Sequence, residues 1–267
     1  MGESRPTVGV LVSCVLAVSL CVNVWLGNSL RKANAPTQAE LFWQICQPGT
    51  PEAARKEAFL KLLELGHTEW RSATLRQFDL RGVDFSGKRL DGVDLTGGNL
   101  SGANLSDASL VDVELPVADL TGAELARATM NGIHLFRSGL DRATLAGASL
   151  VAGHLQEMVA RGANFSDARL MDADLLMARL SGSDFSNADL TGADLEAAEF
   201  QGCELAGARL SDANLKDADF SNSNWWRTLG LSLGTLKSMR REFPPGPNSA
   251  PMLRQDFEAW AKVFDAR

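Results

Sequence analysis

The chain has 267 residues, of which 45% are hydrophobic and 22% are charged, a balance that excludes an intrinsically disordered protein. Its formal net charge of −7 excludes broad binding to nucleic acid through phosphate neutralisation, so we expect no direct nucleic-acid partner. The four cysteines show neither a metal-ligand spacing nor a disulfide framework: Cys14, Cys21, Cys46 and Cys203.

The first predicted element is a membrane-spanning helix over residues 8–27, a run without any charged residue. At about 1.5 Å per residue this run reaches about 30 Å, which is the thickness of the hydrocarbon core of a bilayer. A cleaved signal peptide ending at residues 33–35 (Ala-Asn-Ala) is the alternative, but Arg31 and Lys32 lie between the apolar run and that site. We therefore expect a single-pass membrane protein. The charges on the two flanks do not determine on which side of the membrane the rest of the chain lies.

Two short helices are predicted next. A capping box at residues 37–40 (Thr-Gln-Ala-Glu) opens a helix that runs through about Cys46. Residues 50–51 (Thr-Pro) open a second helix, which ends at Gly66. The apolar residues of the second helix predict a one-sided stripe made of Ala58, Phe59, Leu62 and Leu65.

A period of five residues dominates the rest of the chain. From Leu75 to Trp225 every fifth residue, here called the centre of its repeat, is large and apolar, and Ala160 is the one exception. Most centres have a small residue two positions before them, while Gly, Asn, Asp and Ser recur after them and favour bends. Because this period fits neither a helix nor an ordinary strand, we predict that the centre and its small companion both point into a narrow lumen. At the exceptional centre the companion is Met158, which restores the lost volume.

These A(D/N)LxG-type units, such as residues 188–192, resemble the pentapeptide-repeat family. The resemblance implies an all-β solenoid, namely a right-handed quadrilateral β-helix with four repeats, or about 20 residues, in each coil. The ends of such a solenoid require caps, and after the last repeat the apolar spacing predicts two helices on either side of residues 244–247 (Pro-Pro-Gly-Pro). Many family members dimerise through the C-terminal end, which makes Trp225 and Trp226 candidate dimer residues.

The fold class is therefore predicted as an all-β solenoid with capping α-helices and an N-terminal transmembrane helix. Its parts are an N-terminal tail (1–7), a transmembrane helix (8–27), a linker (28–36), an N-terminal helical cap (37–72), the pentapeptide-repeat β-helix (73–227) and a C-terminal helical cap (228–267).

A coil of about 20 residues places residues that are 20 positions apart in one column on the surface. This arithmetic gathers outward-pointing apolar residues in the middle coils, and such a surface often marks an interaction site. A loop, the C-terminal helix or the anchor segment lying over this patch is the alternative interpretation. The predicted interaction patch consists of Val111, Pro116, Val117, Phe136, Val151, Met171, Leu176 and Met177.

The same arithmetic places two histidines in one column. His134 and His154 lie between Glu114 and Asp174 in this column. Imidazole nitrogens and carboxylate oxygens are common metal ligands. Alternatively, these four residues are ordinary solvated surface residues. A third interpretation is that the two histidines form a pH-responsive patch. We assign no metal or cofactor from the sequence.

No nucleophile elbow, phosphate loop, dinucleotide fingerprint or zinc spacing is present, so we expect no catalytic residues and no enzyme. The expected function is a membrane-anchored, non-catalytic scaffold that presents a rigid face to an unknown protein partner. One alternative rests on acidity: residues 73–227 carry 23 acidic and 13 basic residues, a net charge of −10, and some family members are acidic DNA mimics that bind a type II topoisomerase. The other is a metal-binding or catalytic site on the face of His134 and His154.

Overall fold

The computed structural model describes residues 36–47, 49–67, 70 and 73–266. The chain divides between Leu65 and Gly66 into two compact units. The segment predicted to span a membrane, residues 8–27, lies outside the described residues. Among the residues that are described, no helix has both the length and the apolar character needed to cross a bilayer.

The first unit contains helices α1 (Gln38–Cys46) and α2 (Glu52–Glu64). The predicted capping box is confirmed, since Thr37 Oγ1 accepts a hydrogen bond from the Glu40 N–H at 3.3 Å and the Glu40 carboxylate accepts one from the Thr37 N–H at 2.7 Å. These two bonds satisfy backbone donors that a helix start otherwise leaves without partners.

The buried side of α2 differs from the prediction at one position. Ala58, Phe59 and Leu62 are buried as predicted, but Leu65 is 46% exposed. The stripe prediction is wrong there because the helix ends one residue earlier, and Leu63 is buried in its place. The role of this unit as an N-terminal cap stays a prediction.

The second unit is a four-sided solenoid of parallel coils. Each side pairs with the residue 20 positions later, for example Asp94 with Glu114 and Asn99 with Asp119, and the bridges recur every five residues along the chain. This register confirms the coil of 20 residues that the resemblance implied. In the described repeats each side contributes one bridging residue between two turns, so no strand extends beyond a single bridge.

The lumen is filled by the centres and their companions. Leu100, Leu120 and Leu140 follow one another in a single column and are at most 1% exposed. At the exceptional repeat the large residue is the companion, Met158, and the small residue is the centre, Ala160. Both side chains are fully buried, which confirms that they fill the same lumen. Toward the C-terminal end phenylalanine replaces leucine at several centres, and the rings of consecutive coils stack at 4.7 Å for Phe165 with Phe185 and at 5.1 Å for Phe200 with Phe220.

The corners of the solenoid are turns in which the residue two positions after the centre has a positive φ, from Gln77 to Asn222. In one example the Ala103 N–H donates to the Leu100 carbonyl at 3.0 Å, and Gly102 between them has φ +64°. Glycine adopts this conformation without steric cost. Many corners carry another residue at this position, which is important for the surface described below.

The solenoid begins one repeat earlier than the sequence indicated. Trp70 occupies a centre position and is fully buried, and its carbonyl accepts from the Ala73 N–H in the usual corner turn at 2.7 Å. Its indole N–H donates to the Arg89 carbonyl at 2.7 Å, which ties this first centre to the next coil. The boundary predicted at residue 73 lies three residues after this centre.

The last coil runs to Leu229, whose carbonyl accepts from the Leu210 N–H at 2.9 Å. A short 3₁₀ helix, Trp225–Arg227, interrupts its fourth side, and the Leu205 N–H donates there to the Asn224 side chain at 2.5 Å. Helices α3 (Leu233–Glu242) and α4 (Pro251–Asp265) follow. They match the two helices predicted on either side of the proline-rich break.

Candidate protein-interaction face

One side of the solenoid carries the bridging column Glu114, His134, His154 and Asp174, and we call it the histidine face. The corner that follows it along each coil carries five residues of the predicted patch, here named the apolar corner: Pro116, Val117, Phe136, Leu176 and Met177. The corner that precedes it carries the other three, Val111, Val151 and Met171. The histidine face is therefore bordered by apolar side chains along both edges.

Exposure is greatest at the apolar corner. The exposed fractions are 62% for Val117, 54% for Met177 and 37% for Phe136. The other five patch residues are half-buried. Three large apolar side chains thus face solvent along one corner of the solenoid, with Val117 and Phe136 on neighbouring coils and Met177 two coils beyond Phe136. Exposed apolar residues of this kind are typical of contact surfaces.

Val117 is held in a conformation that valine rarely adopts. Its φ is +59°, in the left-handed region, where the Cβ of an L-residue approaches the following carbonyl oxygen at a cost of roughly 1–2 kcal/mol. A β-branched residue is a clear outlier there. Met177 has φ +56° at the equivalent position 60 residues later. Most corners carry Gly, Asn or Asp at this position, and Gln, Arg, Ala and Glu occupy others. Among the positive-φ residues of the described chain Val117 is the one β-branched residue, so local stability does not explain it.

Sequence reasoning missed two polar members of this corner. The Arg137 guanidinium lies 4.8 Å from the centroid of the Phe136 ring, and it forms a two-bond ion pair with Glu157 of the next coil at 2.7 and 3.2 Å. The ion pair orients the guanidinium, which in turn covers one side of the ring. Since Arg137 shares a column with Val117, the same arithmetic could have found it. Val159, on the adjoining side, is a further half-buried outward residue that was missed.

The two histidines lie together as the column arithmetic predicts. Their ring centroids are 4.4 Å apart with an angle of 45° between the rings, and His134 Nδ1 lies 3.6 Å from Glu114 Oε2. The Asp174 carboxylate is hydrogen-bonded to other groups, since it accepts from Gln156 Nε2 at 2.5 Å and from the Leu176 N–H at 3.1 Å. Within the described residues no group of three or more His, Cys, Asp or Glu side chains is arranged to hold a metal ion.

The acidic surface of the solenoid is divided by arginine and lysine. Arg127 pairs with Asp107 at 2.6 Å and Lys216 pairs with Glu196 at 2.5 Å, each across adjacent coils. Hydrogen bonds from these cations hold the pKa of the Asp107 and Glu196 carboxyls below their ordinary values. Such pairs place positive charge within the acidic columns, so the net charge of −10 in residues 73–227 is not spread as a continuous acidic strip.

The predicted dimer residues lie inside the protein. Trp225 is fully buried and Trp226 is 4% exposed. Their indole N–H groups donate to the Phe243 carbonyl at 2.9 Å and to Asp256 at 2.8 Å, so the C-terminal helices of the same chain cover both rings. Neither ring is therefore exposed at the surface of this chain, and a homodimer through the C-terminal end stays a prediction.

The chain belongs to the pentapeptide-repeat family. A family model described as pentapeptide repeats (8 copies) matches more than half of the sequence, over residues 64–97, 99–135, 138–175, 154–187, 178–217 and 188–227. Members of this family are generally non-catalytic structural or interaction proteins. A comparison with curated proteins finds no match.

Solved structures of similar proteins come from several sources. HetL, a pentapeptide repeat protein involved in heterocyst differentiation regulation in the cyanobacterium Nostoc sp. strain PCC 7120, is 23% identical with a TM-score of 0.31, over 62% of this chain and 95% of that one. Trypsin-treated QnrB1, a plasmid-mediated fluoroquinolone resistance protein, is 24% identical with a TM-score of 0.34, over 54% and 80%. Rfr23 from the cyanobacterium Cyanothece 51142 is 24% identical with a TM-score of 0.26, over 63% and 95%. These low scores and identities carry no information on the partner of this chain.

Proposed function

We propose that this protein is a membrane-tethered, non-catalytic scaffold whose apolar corner docks a protein partner. The proposal rests on the conformation and exposure of Val117, whose β-branched side chain is exposed to solvent in a strained left-handed turn. A residue that costs stability and contributes little to the core is explained by a contact outside the chain.

The composition of the corner supports a protein partner. Aromatic residues, methionine and arginine are enriched at protein–protein interfaces, and Phe136, Arg137 and Met177 all lie along this corner. The corner is also rigid, since backbone hydrogen bonds join each coil to the next, as from the Val117 N–H to the Phe136 carbonyl at 2.9 Å. A rigid surface loses little conformational entropy when it binds.

The membrane tether is proposed from residues 8–27, whose uncharged run has the length of a bilayer core. Its test is extraction of the full chain from membranes. We expect the full chain to need detergent and a variant lacking residues 8–27 to remain in the aqueous fraction. Release of the full chain by alkaline carbonate alone would contradict the tether and leave the docking proposal unaffected.

Docking is tested by photo-crosslinking in cells, with a photoreactive phenylalanine analogue placed at position 177 or, as a control, at position 167. Asp167 is a matched control because it occupies the same position in a corner turn, with φ +57°, but on the diagonally opposite corner of the coil. We expect an adduct of one defined mass from position 177 and none from position 167. Equal labelling from both positions would refute docking at the apolar corner.

A substitution tests the same contact without the probe. Met177→Asp introduces a residue that the fold already accepts at this turn position, as at Asp167 and Asp172. We therefore expect stability to change by less than about 0.5 kcal/mol. Adduct formation from a probe at position 136 should fall at least tenfold, because a carboxylate would have to lose its hydration in the contact. Unchanged crosslinking in a folded Met177→Asp protein would overturn the proposed function.

A further inference from the structure

The histidine face contains an arrangement that the docking proposal does not use. His134 and His154 are both at the surface, and their rings are in contact at a centroid distance of 4.4 Å. Among the described residues, the one aromatic ring found next to His154 is that of His134. Two adjacent imidazoles with accessible nitrogens are a pair of neutral nitrogen ligands on one rigid support.

The backbone fixes the separation of these two rings. The Leu135 N–H donates to the His154 carbonyl and the His154 N–H donates to the Ile133 carbonyl, each at 2.8 Å. Two nitrogens bound tetrahedrally to zinc, each at about 2.0–2.1 Å, lie about 3.3 Å apart. The ring centroids lie 4.4 Å apart, which is close enough for one ion to contact a nitrogen of each ring.

Glu114 contributes an orienting charge. Its Oε2 lies 3.6 Å from His134 Nδ1, within ion-pair distance. A histidine that ligates a metal usually donates its other ring N–H to a carboxylate, which fixes the ring and increases the basicity of the ligating nitrogen. Glu114 on the Nδ1 side leaves Nε2 of His134 available, whereas Asp174 at the other end of the column is held by Gln156 and the Leu176 N–H.

We infer that His134 and His154 form a two-imidazole surface site for a borderline divalent transition-metal ion such as Zn²⁺, with Glu114 orienting His134. Imidazole suits Zn²⁺, Ni²⁺ and Cu²⁺, whereas Mg²⁺ and Ca²⁺ prefer oxygen ligands. Water completes the coordination sphere, since the described residues supply no group of three ligands. The inference does not depend on the docking proposal.

The site is tested by titrating the purified full chain with ZnCl₂ in a calorimeter. We expect one equivalent of saturable binding, and we expect His134→Thr and His154→Thr each to weaken it at least tenfold. Threonine suits this test because Thr74 occupies the same column, so the fold accepts it there. His67→Thr changes the remaining histidine of the chain and should leave the isotherm unchanged.

Three further outcomes decide the inference. Glu114→Gln should weaken Zn²⁺ binding about tenfold, as expected for loss of an orienting carboxylate, and an unchanged affinity would overturn its role. MgCl₂ should produce no saturable heat. The site is refuted if circular dichroism shows the His134→Thr/His154→Thr protein to be folded and its Zn²⁺ isotherm equals that of the unsubstituted chain. Because no partner protein is present, this result is separate from the crosslinking experiment.

Discussion

The exchanged sizes of Met158 and Ala160 allow a quantitative test of the solenoid interior. Both residues point into the lumen of the same coil and both are fully buried. Elsewhere the companion is small and the centre is large, as in Ala178 and Leu180 of the next coil. If the lumen requires only a constant volume per repeat, Met158→Ala and Ala160→Leu should compensate each other.

The single changes have different expected costs. Met158→Ala leaves a cavity in a close-packed interior, which costs about 2–5 kcal/mol. Ala160→Leu adds three carbon atoms to a space that Met158 already fills, and such overpacking costs about 1–3 kcal/mol. Independent effects would therefore sum to about 3–8 kcal/mol in the double variant.

We expect the double variant to lose less than about 1.5 kcal/mol, because it restores the Ala–Leu combination that the neighbouring coil accommodates. The assay is urea unfolding of all four proteins, followed by circular dichroism, with the free energy taken from the midpoint and slope of each curve. Val159→Ala is a suitable control, since Val159 lies between the two residues but points outward and is half-buried. Additive losses in the double variant would refute a shared lumen at this coil.

Three other predictions concern separate parts of the chain. Val117→Asn should raise the free energy of unfolding by about 0.5–1 kcal/mol, because asparagine tolerates the left-handed turn better than valine, and a decrease in urea unfolding would show that the side chain stabilises the fold. Hydrogen bonds from Arg227 and Trp226 lower the pKa of Asp256, so its contribution to stability is complete above about pH 4 and is lost as the pH falls through the lower folded-state pKa. Asp256→Asn should therefore lower the melting temperature at pH 7, with a difference from the unsubstituted chain that shrinks below about pH 4; a constant difference would contradict this ion pair. Burial raises the pKa of the Cys203 thiol to about 12, so site-resolved mass spectrometry should find it alkylated at pH 8 only after unfolding, whereas rapid labelling of the native chain would contradict its burial.

Much of this fold is visible in the sequence, because its physical cause is local and repeated. A large side chain every fifth residue, with a small one two positions before it, fixes which side chains enter the lumen in each repeat. The coil length of 20 residues came from the family resemblance, and it placed His134 next to His154 and Phe136 next to the other members of the apolar corner. Such columns follow from arithmetic as long as the register does not slip.

The ends of the solenoid and the detailed form of its surface depend on contacts that do not repeat. Trp225 and Trp226 resemble exposed end residues in the sequence, but α4 covers them through ring contacts from Phe257 and Trp260 and through the ion pair between Arg227 and Asp256. Asp174 lies in the histidine column, but its carboxylate turns toward Gln156. A period determines which side of the chain a residue is on, whereas the rotamer it adopts and the segment that covers it are decided by distant residues brought together only in the folded protein.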